Sequence, residues 1–355
     1  TEEQAVLVAL NDGAALAQAL YRPLSAFDDT LASSLPSVLQ AARLVQMEHK
    51  QRAANIDELT PIEDAVSQKV QAQYEQFPYP PWDAIADTNP TTLQNFVSLR
   101  FPHLKVTSTQ PEFLSAGCGT GRGAIMLALT FPDANITALD LSRSSLAYAG
   151  MKADQHGIVS ITFGVGDILN IAALGKTFDM IESAGVLHHM REPSAGLRAL
   201  SDVLKPGGLM RLALYSERGR SAVDAARELI AKHNISDSDD GVREARHLLQ
   251  SLLPTHPARG VIDTPEFFTL DGLHDLIFNV QETRYTPRHL KDLLHSADLA
   301  FLGFDIADTA TKAAYARSFP HDPRGLDLDN WDAFEQNHAY AFAEMYQVWC
   351  HMAGT

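Results

Sequence analysis

Between Pro111 and Tyr215 the apolar residues fall into short blocks, Phe113–Ala116, Ile136–Leu139, Ile161–Val165, Phe178–Ser183 and Leu209–Tyr215. Stretches with helical spacing lie between them, among them Ser142–His156 and Pro193–Leu204, and Pro206-Gly207-Gly208 reads as a sharp turn. Short strands alternating with helices predict a parallel, doubly wound sheet. The alternation lapses after Tyr215. Residues 217–285 read as mostly helical, with a solvated acidic loop at 237–240, before a helix at Pro287–Ala297 and a strand at Ala300–Ile306 resume the pattern. A helical excursion between two strands lies over the strand ends, where open α/β sheets bind their ligands. From about Asn330, Trp331, Phe334, Phe342, Met345, Tyr346 and Trp349 share one helical stripe, which reads as core or as a contact in a homodimer.

Upstream of the sheet the spacing is helical. Leu16, Leu20, Leu24 and Phe27 recur at helical intervals, as do Leu35, Val38, Leu39, Ala42 and Val45. Pro61 opens a further helix, with Thr60 in the N-cap position and Glu63 supporting the first turn. That helix runs to about Gln76, where the three prolines of Phe77-Pro-Tyr-Pro-Pro-Trp82 forbid its continuation. The expected fold class is α/β, a doubly wound and mainly parallel sheet with an N-terminal helical region and a helical cap. Residues 1–110 form the helical region with its Pro/aromatic loop at 77–82, 111–216 and 286–310 the core, 217–285 the cap, and 311–355 an extension with an aromatic helix.

Charge and cysteine content narrow the function classes. The chain of 355 residues carries a formal net charge of −16, which disfavours nucleic acid backbones and anionic membranes as partners. Two cysteines, Cys118 and Cys350, cannot build a disulfide framework or a cysteine zinc site, and no metal is expected. No apolar run approaches the length of a membrane span, and no basic segment leads into an apolar one near residue 1, so a cytoplasmic protein is expected.

The candidate chemistry starts at Leu114-Ser-Ala-Gly-Cys-Gly-Thr-Gly-Arg-Gly123, between a predicted strand and a predicted helix. Glycines there let the backbone turn tightly, and a helix start aims free N–H groups at an anion. Gly119-x-Gly121-x-x-Ala124 with Asp140 downstream fits a dinucleotide fingerprint as well. Asp140 ends the second strand, where a carboxylate accepts ribose hydroxyls; its other reading is a cap for the helix near Ser142. Asp167 follows the third strand, in place for an adenine amino group, with Ile168 stacking nearby; its other reading is a turn residue.

This set, with the block Phe178–His189 and the turn Leu204–Gly208, resembles the class I S-adenosylmethionine-dependent methyltransferases across roughly residues 111–216. The resemblance implies a Rossmann-like methyltransferase fold and S-adenosyl-L-methionine as cofactor. It implies that Gly117, Cys118, Gly119 and Gly121 border the methionine end and Asp140 and Leu141 the ribose. Asp167 and Ile168 would take the adenine, and Ser183 and Gly185 the floor beneath the sulfonium. The family's acid two residues before the first glycine is replaced by Ser115. Gln73–Trp82, Asp275–Tyr285 and the aromatic C-terminal segment look like those of a bacterial methyltransferase group with a Tyr-Pro-x-Trp motif. There Tyr74 would reach the cofactor and Tyr79 the methyl site, or the aromatics anchor the N-terminal helices to the sheet.

Methyl transfer needs alignment and exclusion of water, and a base only if the nucleophile must shed a proton. His188 is the candidate base, with packing as its other reading. The Asp/Asn-Pro-Pro-Tyr signature of amide and adenine N-methylation is absent, Glu182–Gly185 standing in its place. The expected acceptor is a small molecule or an amino-acid side chain. The alternatives are a catalytically silent S-adenosylmethionine-binding regulatory protein and an NAD-type oxidoreductase.

Overall fold

A computed structural model describes residues 35–352 together with Ser25 and Asp29, except 77–79, 81, 280, 281, 340, 343 and 344. The chain divides into two compact units, Thr1–Ile56 and Asp57–Thr355. In the first, helix α1 (Ser37–Ala54) carries the expected spacing from Leu39 to Val45, and its Arg43 pairs with Asp29 at 2.9 Å. The expected helix through Leu16–Phe27 lies outside the described residues. Residues 57–110 of the expected helical region fall in the second unit.

The second unit is built on a seven-stranded sheet in the order β3-β2-β1-β4-β5-β7-β6. Its strands are β1 (Glu112–Ala116), β2 (Asn135–Asp140), β3 (Ile161–Val165), β4 (Phe178–Ala184), β5 (Leu204–Tyr215), β6 (Leu299–Phe304) and β7 (Met345–Met352). Strands β1 to β5 are mutually parallel, and β7 runs antiparallel between β5 and β6. The order reverses at β1, so the carboxyl ends of β1 and β4 diverge and open the crevice typical of doubly wound sheets. Helices α4 (Arg122–Thr130), α5 (Arg143–Gln155) and α6 (Pro193–Asp202) follow β1, β2 and β4 as the alternation predicts.

Four local outcomes differ from the sequence reading or decide between its alternatives. The turn Pro206-Gly207-Gly208 lies within β5: Leu204 pairs with Phe178 and Leu209 with Met180, so these residues bulge out opposite Asp179. Helix α2 (Ala65–Gln76) begins four residues after Pro61, and Asp64 caps it, accepting from the N–H groups of Val66 and Ser67. Thr60 is buried and spends its hydroxyl elsewhere, as described below. The loop aromatic Trp82 is an anchor: its indole N–H donates to the Thr120 carbonyl at 3.0 Å, and its ring packs against Tyr148 and His156 of the α5 region.

The fourth difference is the C-terminal aromatic segment. Trp331 and Phe334 lie on a short helix (Leu328–Asn337), but Met345–Met352 is strand β7. Tyr346, Val348 and Cys350 join the core beneath one face of the sheet, while Trp349 packs with Phe96 and Phe101 on the other. A strand buried on both faces is apolar at nearly every position, so its spacing mimics a helix. These side chains are core of the chain itself. The helix α3 (Leu93–Arg100) supplies Phe96 and closes that second core.

Residues 221–278 form a helical layer with a core of its own, from α7 (Ser221–Lys232), α8 (Asp239–Ser251) and α9 (Leu270–Phe278). Helix α10 (Pro287–His295) then leads to β6.

Trp349→Ala removes the indole shared by α3 and the sheet. Urea unfolding should show a loss of about 3–5 kcal/mol; a loss below about 1 kcal/mol would mean that β7 contributes little to the core.

Candidate functional site

A cavity of about 570 Å³ opens at the carboxyl edge of the parallel strands. Its walls come from the loop after β1, the ends of β2, β4 and β5, the start of β7, helix α2 and the cap. Tyr74, Gly117, Cys118, Gly119, Asp140, Leu141, Asp167 and Ile168 all line it.

The glycine loop is hung on the end of β2. The N–H groups of Gly117 and Cys118 donate to the Leu139 carbonyl at 2.7 and 3.0 Å. Gly119 N–H donates to Asp140 Oδ2 at 2.7 Å, and Ser142 N–H to Asp140 Oδ1 at 2.9 Å. Burial raises the Asp140 pKa, while the N–H bonds from Ser142 and Gly119 pull it back down. Ser142 itself caps α5, its hydroxyl accepting from Ser145 N–H at 3.0 Å, so Asp140 is free of that duty and each of its oxygens keeps a lone pair for a ligand. Gly121 caps α4 at a φ of 83°, and a Cβ there would lie 2.4 Å from Ala149 Cβ. Its role is close helix packing; it is not a cavity residue. Cys118 is pushed well above its ordinary pKa by burial and by Asp140, so it is an uncharged thiol.

Asp167 is fixed from outside the sheet. Its N–H donates to Thr60 Oγ1 at 2.8 Å, and the Thr60 hydroxyl donates to the Asp167 carbonyl at 3.0 Å. The segment carrying Thr60 runs parallel to the end of β3, with Leu59 N–H on the Val165 carbonyl. A side chain at Gly166 would meet Thr60 Oγ1 at 2.3 Å, so only glycine permits this approach. Asp167 Oδ1 accepts from Leu169 N–H at 3.0 Å, whereas Oδ2 is buried without a hydrogen-bond partner on a residue 2% exposed. A buried carboxylate oxygen left unmatched calls for a donor from a ligand.

Helix α2 is pinned at its end. Glu75 accepts the N–H groups of Arg143 and Ser144 at the start of α5, and the Ser142 hydroxyl donates to the Tyr74 carbonyl. Tyr74 then reaches across the cavity and donates to Asp275 Oδ1 on α9 at 2.9 Å. Burial and the Asp275 carboxylate raise the Tyr74 phenol well above its usual value, so it remains a donor.

Other expected residues stand outside the cavity. Ser115 is buried in β1, paired in register with Ala138 and Glu182. Its neighbour Glu182 is paired with Arg211 at 2.7 Å, and Arg211 also reaches Gln347. Ser183 is buried in β4 and does not line the cavity; Ala184 and Gly185 do. Tyr79 lies outside the described residues. His188 is 0% exposed with neither ring nitrogen bonded, and the neighbouring His189 lines the cavity instead. A short helical turn at Leu187–His189 sends the two rings different ways. Burial first, then His189 and Arg220, hold His188 well below the ordinary histidine pKa of 6.5. In this structure the ring is sealed from the cavity, which favours the packing reading of His188 over the base reading. The sequence reading missed Tyr215, Met345 and Gln347, which join the cavity only because β7 pairs beside β5.

Comparison with known proteins agrees with this geometry. Residues 113–208 match the family model described as a methyltransferase domain. The uncharacterised protein syc1184_c of Synechococcus is 32% identical over 263 residues, covering 69% of this chain and 61% of that one. A ubiquinone biosynthesis O-methyltransferase of Coxiella burnetii is 26% identical over 150 residues, covering 42% of this chain and 63% of the enzyme. The chain thus spans about three-fifths of the length of these relatives. The structure of PKMT2 from Rickettsia typhi in complex with AdoHcy superposes with a TM-score of 0.57 at 16% identity, over 78% of this chain and 55% of that one. The fold is therefore the Rossmann-like methyltransferase fold.

The unfolded chain protonates residue 188 below pH 6.5, but the native chain resists. Unfolded molecules then bind more protons, so stability falls as pH drops through that value. Thermal melts between pH 7.5 and 5.5 should fall less steeply for His188→Leu than for the parent; equal slopes would show that His188 is accessible to protons.

Proposed function

We propose that the protein is an S-adenosylmethionine-dependent methyltransferase acting on a small molecule or an amino-acid side chain. The observation that carries this reading is the pair of carboxylates at successive strand ends: Asp140, tied to the glycine loop, and Asp167, whose buried Oδ2 has no partner. Asp140 offers two oxygens to the ribose hydroxyls, and Asp167 Oδ2 accepts from the exocyclic amino group of adenine. Ile168 and Leu169 flank that end, while Gly117, Cys118, Gly119 and Gly185 border the methionine end. The residues present therefore fit the cofactor, apart from the charge that Ser115 does not bring.

When bound, S-adenosylmethionine supplies a methyl group made electrophilic by its sulfonium. The chain's own part is alignment and shelter. Thr60 fixes the backbone of Asp167, and Glu75 fixes α2 against α5, so both walls of the adenosine site are set before binding. The Tyr74–Asp275 hydrogen bond joins α2 to the cap across the cavity and limits the entry of water. With the cap and α2 closing over the strand ends, the acceptor enters beside Tyr215, Met345 and Gln347. The ubiquinone biosynthesis enzyme among the relatives supports methyl transfer to a small acceptor.

Isothermal calorimetry with S-adenosylhomocysteine tests the reading. Binding in the micromolar range is expected, and Asp140→Ala and Asp167→Ala should each weaken it about 10- to 100-fold, the equivalent of losing a charge-assisted hydrogen bond. Absence of binding by the parent protein, together with binding of NADH, would replace the methyltransferase reading with an oxidoreductase one. Thr60→Val should weaken binding about fivefold through Asp167 alone; an unchanged affinity would show that Asp167 needs no support.

A further inference from the structure

Tyr215, the last residue of β5, is held by a clamp that the reading above does not use. The Arg220 guanidinium carbon lies 3.7 Å from the Tyr215 ring centroid, and the His188 ring centroid lies 4.0 Å from it, tilted by 36°. Two groups at such distances cannot share one face of a ring without overlapping, since each needs about 3.5 Å of van der Waals depth. They therefore cover opposite faces. Arg220 is 1% exposed and is locked in turn by Glu282, which accepts from its Nε at 3.1 Å and its Nη2 at 2.8 Å. Arg227 and Arg284 also donate to Glu282, so the carboxylate is fixed on several sides.

The backbone closes the clamp. Thr283 N–H donates to the His188 carbonyl at 2.7 Å, and Tyr285 N–H donates to the Tyr215 carbonyl at 2.9 Å. One segment thus ties the turn after β4 to the end of β5. With both ring faces covered and Tyr215 lining the cavity, only the rim of the ring is left to face inward. Tyr74, Tyr215, Asp275 and Asp140 line the same cavity, so the two tyrosines share one chamber with the ribose carboxylate.

We propose that the Tyr215 hydroxyl contacts the acceptor at the point of methyl transfer, with Arg220 and His188 as positioning residues that fix its ring. The hydroxyl accepts a hydrogen bond from the N–H or O–H of the acceptor and so turns a lone pair on that atom toward the methyl group. The bond to carbon would form as the sulfur–methyl bond breaks, and the acceptor's proton would leave to water. The contact rests on the methyl-donor reading. It also gives His188 a purpose: an uncharged slab on one ring face, opposite the Arg220 cation.

Calorimetry on the full chain with two cofactor analogues tests this without an identified acceptor. S-Adenosylhomocysteine lacks anything at the methyl position; sinefungin carries an amine there. Tyr215→Phe should leave the S-adenosylhomocysteine dissociation constant within about twofold and weaken sinefungin about 5- to 10-fold, the loss of one hydrogen bond to a charged donor. Arg220→Lys, which frees the ring while keeping the charge, should show the same selective loss in smaller measure. Equal weakening of both analogues by Tyr215→Phe would reduce Tyr215 to a structural residue. No change in either would place its hydroxyl away from the transfer point. Failure of the parent protein to bind S-adenosylhomocysteine would overturn the donor reading itself, a result separate from both.

Discussion

The site depends on the Asp140 carboxylate and the two N–H groups it accepts. Through Gly119 it fixes the loop that leaves β1, and through Ser142 it fixes the start of α5. Two elements that belong to successive strand–helix units are thereby set against each other at one residue. The Leu139 carbonyl adds two further bonds to the same loop. Without these contacts the glycine-rich loop would have no reason to adopt one conformation, because glycine loses more backbone entropy on ordering than any other residue. The crevice is therefore built before any ligand enters it, which lowers the ordering cost of binding.

A second layer of support comes from outside the sheet. The segment with Leu59 and Thr60 lies against the end of β3, and α2 reaches from the rim of α5 to the cap. These contacts join residues between 68 and 201 positions apart and hold Asp167 and Tyr74 in the walls of one cavity. The cap brings its own core, so Asp275 sits on a rigid body and its hydrogen bond to Tyr74 transmits the position of that body to α2.

Much of this was legible in the sequence, and the failures share a cause. Alternating apolar blocks and helical spacings located β1 to β6, and strand-end carboxylates pointed to Asp140 and Asp167. Local grammar misled wherever a tertiary partner outbid it. Thr60 has the residue pattern of an N-cap, yet the backbone of Asp167 takes its hydroxyl and leaves the helix to Asp64. His188 and His189 are neighbours in sequence, yet only the turn that separates their rings decides which one meets the cavity. Met345, Gln347 and Tyr215 carry no motif at all; pairing between β5 and β7 alone brings them together.

The place of β7 has a consequence for how the molecule comes into being. It is the last of the described strands in sequence but an interior strand of the sheet, between β5 and β6. As the chain leaves the ribosome, β1 to β5 can pair in order, but β6 has no neighbour until Met345–Met352 has been made. Until then β5 has an open apolar edge, the layer under Tyr346 and Val348 is unfilled, and the cavity lacks the wall that Met345 and Gln347 supply. Nascent chains stalled before residue 345 should therefore hold a half-built sheet with a sticky edge, the kind of surface that chaperones bind.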